Sequence, residues 1–143
     1  MRGQKATARW TGQKVKFEVE AGTGHKGILA DEHGPLGDDQ GPRPTELLLG
    51  ALGCCTGINA VLLLQKFKQP FQTLAVMVEG QQEEDWPHAF TKIDITFEIG
   101  WSGKFDKDLA DKALDMACNR YCPVDATLTN GTRIEHRRKD SHA

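Results

Sequence analysis

The stretch PTELLLGALGCCTGINAVLLL, residues 44–64, is the most apolar part of the chain and determines how the rest is interpreted. Its opening suits a helix, because proline fits the first helical position and Glu46 lies near the positive end of the helix dipole. We predict a helix that begins at Pro44 or Thr45, with Thr45 as its N-cap, and that ends near Phe67. Because the run is apolar nearly all round, we expect this helix to be buried on most sides.

This apolar run approaches the length of a membrane span. Polar residues and glycines interrupt it, and the sequence on both sides alternates like half-buried strands, so we predict a buried central helix and no membrane partner. Gly50, Gly53 and Gly57 form a stripe of small residues that lets another backbone approach closely. That backbone belongs either to a sheet of the same chain or to a second copy of the helix, and the sequence leaves both open.

Composition and charge limit the classes of function. The 143 residues are expected to form one domain over residues 1–143, and a net charge of −2 gives no electrostatic case for a nucleic-acid partner. No apolar segment follows the polar start MRGQKATARW, so we expect no secretory signal and a cytoplasmic location. Cysteines stay reduced there, and the 4 cysteines favour catalysis, redox sensing or metal binding over a disulfide framework.

Alternating apolar and polar residues predict strands before and after the central helix. Residues 6–30 contain strands joined by turns at WTGQK and EAGTGHKG, and a Gly/Pro/Asp-rich loop over residues 31–44 follows them. In the second half, alternations begin at Leu74 and at Thr91, and the segment TRIEHRR closes the fold as a last strand.

Two further helices are predicted in the second half. Asp106 caps the first, whose apolar face comprises Ala110, Leu114, Ala117, Cys118 and Tyr121. Pro123 occupies the first position of a short helix in CPVDATLTNG. Because strands and helices are segregated, the fold class is α+β with an antiparallel sheet rather than alternating βαβ units.

The cysteines differ in their local settings. Cys54 and Cys55 diverge by about 100° on a helix, so only one of them faces a given site. Cys55 lies about three turns inside the helix, where apolar surroundings raise a thiol pKa and where a purely structural cysteine is common. Cys122 precedes Pro123 and is predicted as the N-cap of the short helix, a position that lowers thiol pKa values. From the residues alone, Cys122 is the more acidic thiol.

A zinc site is an alternative for the four cysteines. Cys118 and Cys122 are four residues apart and would be neighbours on a continuous helix. The adjacent pair Cys54 and Cys55 is unfavourable for shared coordination, and the two-residue cysteine spacing typical of structural zinc sites does not occur. We therefore predict no metal.

The helix segment PTELLLGALGCCTGINA, the phrase WPHAFTKIDITFEI and the later YCPV together resemble the OsmC/Ohr superfamily, in particular its general OsmC-like proteins. The resemblance covers nearly the whole chain. It implies an OsmC-like fold in which antiparallel sheets wrap around central helices in an intertwined homodimer, with sites at the subunit interface. It also implies a thiol-dependent peroxidase that reduces organic hydroperoxides in oxidative-stress defence, with an external dithiol reductant and no cofactor.

The resemblance assigns roles by position. Cys55 matches the cysteine that attacks the peroxide, and Cys122 matches the one that resolves the product as a disulfide. Cys54 falls where relatives commonly have glycine or alanine, which indicates a packing role. Cys118 has no counterpart.

The chain departs from the peroxidase branches at one position. There a glutamate directly follows the helix-starting proline and pairs with an arginine that activates the attacking thiolate. Here Thr45 holds that position, and Glu46 follows one step later, rotated by about 100°. The activating cation is expected to be Arg9, Arg43 or Arg120. The alternative function is a non-enzymatic dimer that binds a small apolar ligand or senses redox state.

Overall fold

The computed structural model describes residues 3–142 as two compact units, residues 3–48 and residues 49–142, with the division inside the central helix. Each unit contains one three-stranded sheet, and helices follow the third and the fifth strand of the chain. The α+β fold class is therefore confirmed. The assignment of residues 1–143 to one domain stays a prediction.

The first unit is built on an antiparallel sheet with the strand order β1–β2–β3. Its strands are β1 (Ala6–Trp10), β2 (Phe17–Ala21) and β3 (Ile28–Ala30). The turn between β1 and β2 needs a left-handed backbone, which Gly12 supplies with a φ of 84°. The strands predicted for residues 6–30 are confirmed.

A buried carboxylate organises the loop after β3. Asp31 accepts hydrogen bonds from the backbone N–H groups of Glu32 (2.8 Å), Asp38 (3.3 Å) and Gln40 (3.2 Å). Burial acts to raise the pKa of Asp31, but these donors and the charge of Lys16 outweigh it and hold the pKa below its ordinary value. The polar loop is thus held in place from its first residue.

The central helix α1 covers Pro44–Lys66, close to its predicted ends. The prediction of Thr45 as N-cap is wrong, because the helix starts at Pro44 and the capping position is Arg43. Glu46 accepts a hydrogen bond from the backbone N–H of Arg43 at 3.0 Å. In a capping box, an acidic third helical residue likewise accepts a hydrogen bond from the backbone N–H of the capping residue, and proline favours the first helical position. Both preferences place the cap at Arg43 rather than at Thr45.

The second unit contains a sheet with the order β4–β5–β6, formed by β4 (Phe71–Gln82), β5 (Phe90–Trp101) and β6 (Arg133–His142). β4 and β5 form an antiparallel hairpin, whereas β6 runs parallel to β5, which corrects the expectation of purely antiparallel sheets. The cause is the helical connection through α2 (Lys107–Asn119) and α3 (Pro123–Leu128), because a crossover returns the chain to the end where β5 begins.

Strand β5 supplies the centre of the second unit's core. It pairs on both edges, and its residues Ile93, Ile95, Phe97, Ile99 and Trp101 are at most 1% exposed. The cap of α2 is confirmed, since Asp106 accepts from the N–H groups of Asp108 and Leu109. The predicted face of α2 is buried except at Tyr121, which lies beyond the end of α2 and is exposed.

Helix α1 buries one side in this core. Leu52, Ala60 and Leu64 have no exposed surface, whereas Ile58 and Leu62 are 62% and 59% exposed. The expectation of burial on most sides is wrong for the single chain, because one sheet covers only one side of a helix. Among residues 3–142, α1 alone has the length and apolar composition of a membrane span, properties that core helices of soluble proteins share.

The three glycines of the stripe on α1 do not all have the same surroundings. A Cβ at Gly53 would lie 3.2 Å from Val78 Cγ2, and one at Gly57 would lie 3.2 Å from Val76 Cγ2. A Cβ at Gly50 would have no neighbour within 4 Å. Two of the glycines therefore allow α1 to approach strand β4 of the same chain, and Gly50 faces open space.

Candidate functional site

The second unit brings Cys55 of α1 together with Cys122, the residue before α3. The two thiols are close neighbours, since Cys55 contributes to the raised pKa of Cys122. Cys55 is half-buried against the apolar core, and Cys122 is 3% exposed. Nearby, Asn59 Nδ2 donates to the carbonyl of Ala117 at 3.4 Å, which ties α1 to α2 one turn beyond Cys55. The structure thus places side by side the two thiols that the sequence singled out.

Cys122 has the predicted position but not the predicted acidity. It is the N-cap of α3, and its Sγ accepts the backbone N–H of Asp125 at 3.3 Å. Burial raises the pKa of Cys122 to about 11, and the contact with Cys55 adds to the rise. The N–H groups of Asp125 and Val124 oppose this change without reversing it. The expectation of an acidic thiol is wrong, because desolvation outweighs the helix end.

Cys118 is a third thiol close to this pair. It is 2% exposed, and burial raises its pKa to about 12, with further increases from the negative charges of Asp125, Cys122 and Asp115. No role was predicted for Cys118. Its spacing of four residues from Cys122 was the sequence feature that could have indicated its place near this pair.

Asp125 was missed by reasoning from the sequence. It is 5% exposed, and its Oδ1 accepts the hydroxyl of Thr129 at 3.0 Å. Its Oδ2 is buried and has no hydrogen-bond partner. An acidic residue three positions after an N-cap is the signature of a capping box, which would have drawn attention to the sequence CPVD.

Cys54 lies on another side of α1. It is exposed and lines an apolar groove of about 410 Å³ between α1 and β4, together with Ile58, Val61, Leu62 and Leu74. Within one chain this cysteine is therefore not packed against another element.

Three of the predicted activating residues, Glu46, Arg43 and Arg9, belong to the first unit. Glu46 pairs with Arg43, with 3.4 Å between Oε1 and Nε, and both side chains are about half exposed. The backbone N–H of Arg43, followed by its guanidinium, holds the pKa of Glu46 below its ordinary value. Arg9 lies in β1 opposite Glu18 of β2 and is exposed. Their catalytic roles stay predictions.

Arg120 belongs to the second unit and follows α2. Its guanidinium lies over the ring of Tyr121, 5.4 Å from the centroid. Among residues 3–142, no group of three or more His, Cys, Asp and Glu side chains is placed to hold a metal ion.

A family model described as OsmC-like protein matches residues 37–137, which include both interacting cysteines. The chain belongs to the OsmC-like family. Protein YhfA of Escherichia coli K12 is 30% identical to it over 133 residues, a match that covers 92% of this chain and 94% of YhfA. The similarity thus extends over almost the full length of both proteins.

Solved structures show the same fold. The OsmC-like protein of Mycoplasma pneumoniae superposes with a TM-score of 0.79 at 16% identity, covering 99% of this chain and 98% of that one. The organic hydroperoxide resistance protein OhrB of Bacillus subtilis gives a TM-score of 0.61 at 17% identity, covering 96% and 98%. At these identities the likeness establishes the OsmC-like fold.

Proposed function

We propose that this OsmC-like protein is a thiol-dependent peroxidase that reduces organic hydroperoxides. The observation that carries the proposal is the contact between the thiols of Cys55 and Cys122 at the edge of an apolar core. Two cysteines in contact can form a disulfide, and a half-buried thiol beside apolar side chains suits a peroxide with an organic substituent. The name of the Bacillus subtilis relative, which refers to organic hydroperoxide resistance, supports the same class of substrate.

The proposed cycle has three steps. The Cys55 thiolate attacks the terminal oxygen of ROOH, the O–O bond breaks, and the alkoxide leaves as ROH after taking a proton, which leaves Cys55 as a sulfenic acid. Cys122 then attacks the sulfur of Cys55, water leaves, and a disulfide forms. An external dithiol reduces this disulfide by thiol exchange and restores both thiols, so no cofactor is needed.

The thiolate of Cys55 requires a nearby cation. We assign this role to Arg43 or Arg9, with Glu46 orienting Arg43 through the ion pair described above. In this assignment Glu46 takes over the function of the acid expected at Thr45. Because Glu46 also caps α1, its replacement is expected to affect the helix start as well as the reaction.

We further propose that the protein acts as a homodimer in the cytoplasm. The exposed apolar side chains of Ile58 and Leu62, and the open surface at Gly50, support a second copy on this side of α1. The cytoplasmic assignment follows from the need for reduced thiols, and we assign no membrane or nucleic-acid partner.

A second function, binding of a small apolar molecule without catalysis, is favoured by the groove beside Cys54. It predicts that the wild type binds such a molecule, for example a medium-chain alcohol in calorimetry, and that Cys55→Ser binds it equally well.

The deciding experiment measures the turnover of alkyl, aryl and lipid hydroperoxides with a dithiol reductant. We expect Cys55→Ser to lower kcat/KM by at least about 10³-fold, because the attacking group is lost, while the matched neighbour variant Cys54→Ser stays within about 2-fold of the wild type. Mass spectrometry without reductant should find a Cys55–Cys122 disulfide after one equivalent of peroxide. Full turnover by Cys55→Ser would overturn the proposal.

A further inference from the structure

Cys118 is a buried thiol that the proposed peroxidase cycle does not use. It is 2% exposed and lies on α2 in the same apolar core as Cys122, and Cys55 packs against that core. The side chain of Asn59, one turn beyond Cys55, donates to the carbonyl of Ala117, the residue before Cys118. Three of the four cysteines are therefore gathered where α1, the end of α2 and the start of α3 meet.

The backbone keeps Cys118 close to Cys122. Beyond the last residue of α2, the N–H groups of Arg120 and Tyr121 still donate to the carbonyl of Met116, both at 3.1 Å, so the chain stays wound almost as far as Cys122. Four residues of helix rise by about 6 Å, and disulfides usually join residues whose Cα atoms are about 4.4–6.8 Å apart. The charge of an ionised Cys122 also contributes to the raised pKa of Cys118, as expected for neighbouring thiols. The spacing thus suits a disulfide.

We propose that Cys118 is a second disulfide partner of Cys122 and takes over the bond that Cys122 first forms with Cys55. This inference rests on the proposed peroxidase function, which supplies the Cys55–Cys122 bond, the outer disulfide. The Cys118 sulfur loses its proton and attacks the Cys122 sulfur, the outer disulfide breaks, and Cys55 leaves with the electron pair and takes up a proton. The product is the Cys118–Cys122 bond, the inner disulfide. One disulfide replaces another, so the exchange consumes no oxidant or reductant.

The surroundings of the thiols favour the inner disulfide. Burial raises the pKa of Cys118 to about 12 and that of Cys122 to about 11, because the core solvates their ionised forms poorly. A disulfide between them is neutral and needs no hydration, so the core accommodates it without this cost. The exchange also releases Cys55, which is only half-buried. It therefore moves the bond into the core and returns the more accessible thiol to its reduced state.

The inner disulfide should be protected from the external dithiol. A reducing thiolate must reach one sulfur of the bond that it breaks. The outer disulfide offers the half-buried Cys55, whereas Cys118 and Cys122 are 2% and 3% exposed. Reduction of the inner disulfide then has to pass back through Cys55, which attacks Cys122 and restores the outer disulfide. The inner disulfide is thus a stored oxidised form of the protein.

The test forms the outer disulfide without peroxide. In a Cys54→Ser background, one equivalent of dipyridyl disulfide makes a mixed disulfide at Cys55, and attack by Cys122 then closes the outer disulfide. Samples taken over time are quenched with N-ethylmaleimide in mildly acidic urea. Trypsin separates the three remaining cysteines into peptides 27–66, 113–120 and 121–133, so mass spectrometry distinguishes the two disulfides.

We expect the outer disulfide to appear first and the inner disulfide to grow at its expense. On addition of excess dithiol, free thiols should return in two phases, with the second at least about tenfold slower than the first. Cys118→Ser in the same background should keep the outer disulfide and show the fast phase alone. Cys55→Ser in that background should form no inner disulfide, because the reagent does not reach the two buried thiols.

The inference is overturned if the Cys54→Ser protein forms no inner disulfide, a result that does not depend on the folding of any Cys118 variant. It is also overturned if Cys55→Ser forms the inner disulfide equally fast, since direct oxidation and not exchange would then produce it. Failure of the peroxidase function would appear differently, as a protein that forms both disulfides with dipyridyl disulfide but does not react with hydroperoxides.

Discussion

Two sides of helix α1 carry adjacent cysteines in opposite surroundings. The Cys55 side faces Cys122 and is tied to α2 by Asn59, so its thiol lies next to a second thiol. The Cys54 side, comprising Gly50, Cys54, Ile58 and Leu62, is apolar and exposed within one chain. A rotation of about 100° per residue is enough to place two adjacent cysteines in different surroundings. In the function proposed above, one side of the helix carries the chemistry and the other the association.

The largest effect is expected from a charge on the Cys54 side. Ile58→Glu should weaken self-association by at least about 10²-fold, because a carboxylate cannot be buried in an apolar interface without a partner. Sedimentation velocity should then show a monomer where the wild type shows a dimer. Iodoacetamide should label Cys54 at least about tenfold faster in the variant, since the second copy no longer covers it.

The control for this experiment is Asn130→Glu, which adds the same charge to an exposed turn after α3. It should leave both the mass and the labelling of Cys54 unchanged. A wild type that is monomeric, or one whose Cys54 reacts as fast as in Ile58→Glu, would contradict the assignment of this side to dimer formation.

A smaller effect concerns the pH dependence of stability on the Cys55 side. Folding raises the pKa of Cys118 from 9.0 to about 12, so the protonated thiol is stabilised and its contribution is complete below pH 9. Above pH 9 the unfolded thiol ionises first, and about 1 kcal/mol of unfolding free energy should be lost by pH 10. The difference in urea midpoint between pH 8 and pH 10 should therefore be smaller for Cys118→Ala than for the wild type.

In the Ile58→Glu background, Cys54→Ala provides the comparison on the other side of the helix, because Cys54 is exposed within one chain. It should retain the pH dependence of that background. If the unfolding free energy of Cys118→Ala falls as much between pH 8 and pH 10 as that of the wild type, Cys118 does not titrate in this range.

The smallest expected effect is a difference in stability between alanine substitutions at two glycines of α1. In the Ile58→Glu background, Gly50→Ala should stabilise the chain by about 1 kcal/mol, because alanine favours the helix and the added Cβ meets nothing within 4 Å. Gly53→Ala should show no gain, since its Cβ would lie 3.2 Å from Val78 Cγ2 and the Val78 side chain must give way to accept it. Thermal unfolding of both variants measures the difference, and equal gains would mean that α1 does not pack tightly on β4.

Local patterns predicted most elements of the fold. The alternation from Thr91 to Trp101, the cap at Asp106 and the position of Cys122 before Pro123 depend on neighbouring residues only, and all three appear as expected. The parallel pairing of β6 with β5 depends on the direction in which two helices return the chain. No pattern within TRIEHRR specifies that direction.

The candidate site shows the same division. Because helix geometry is local, the residues that could carry sulfur chemistry, and the divergence of Cys54 from Cys55, follow from the sequence alone. The proximity of Cys55 to Cys122, the effect of burial that makes Cys122 less acidic rather than more, and the Asp125 oxygen without a hydrogen-bond partner follow from the folded structure. These properties depend on which distant atoms exclude water from a group, and desolvation is a property of the folded chain rather than of any segment.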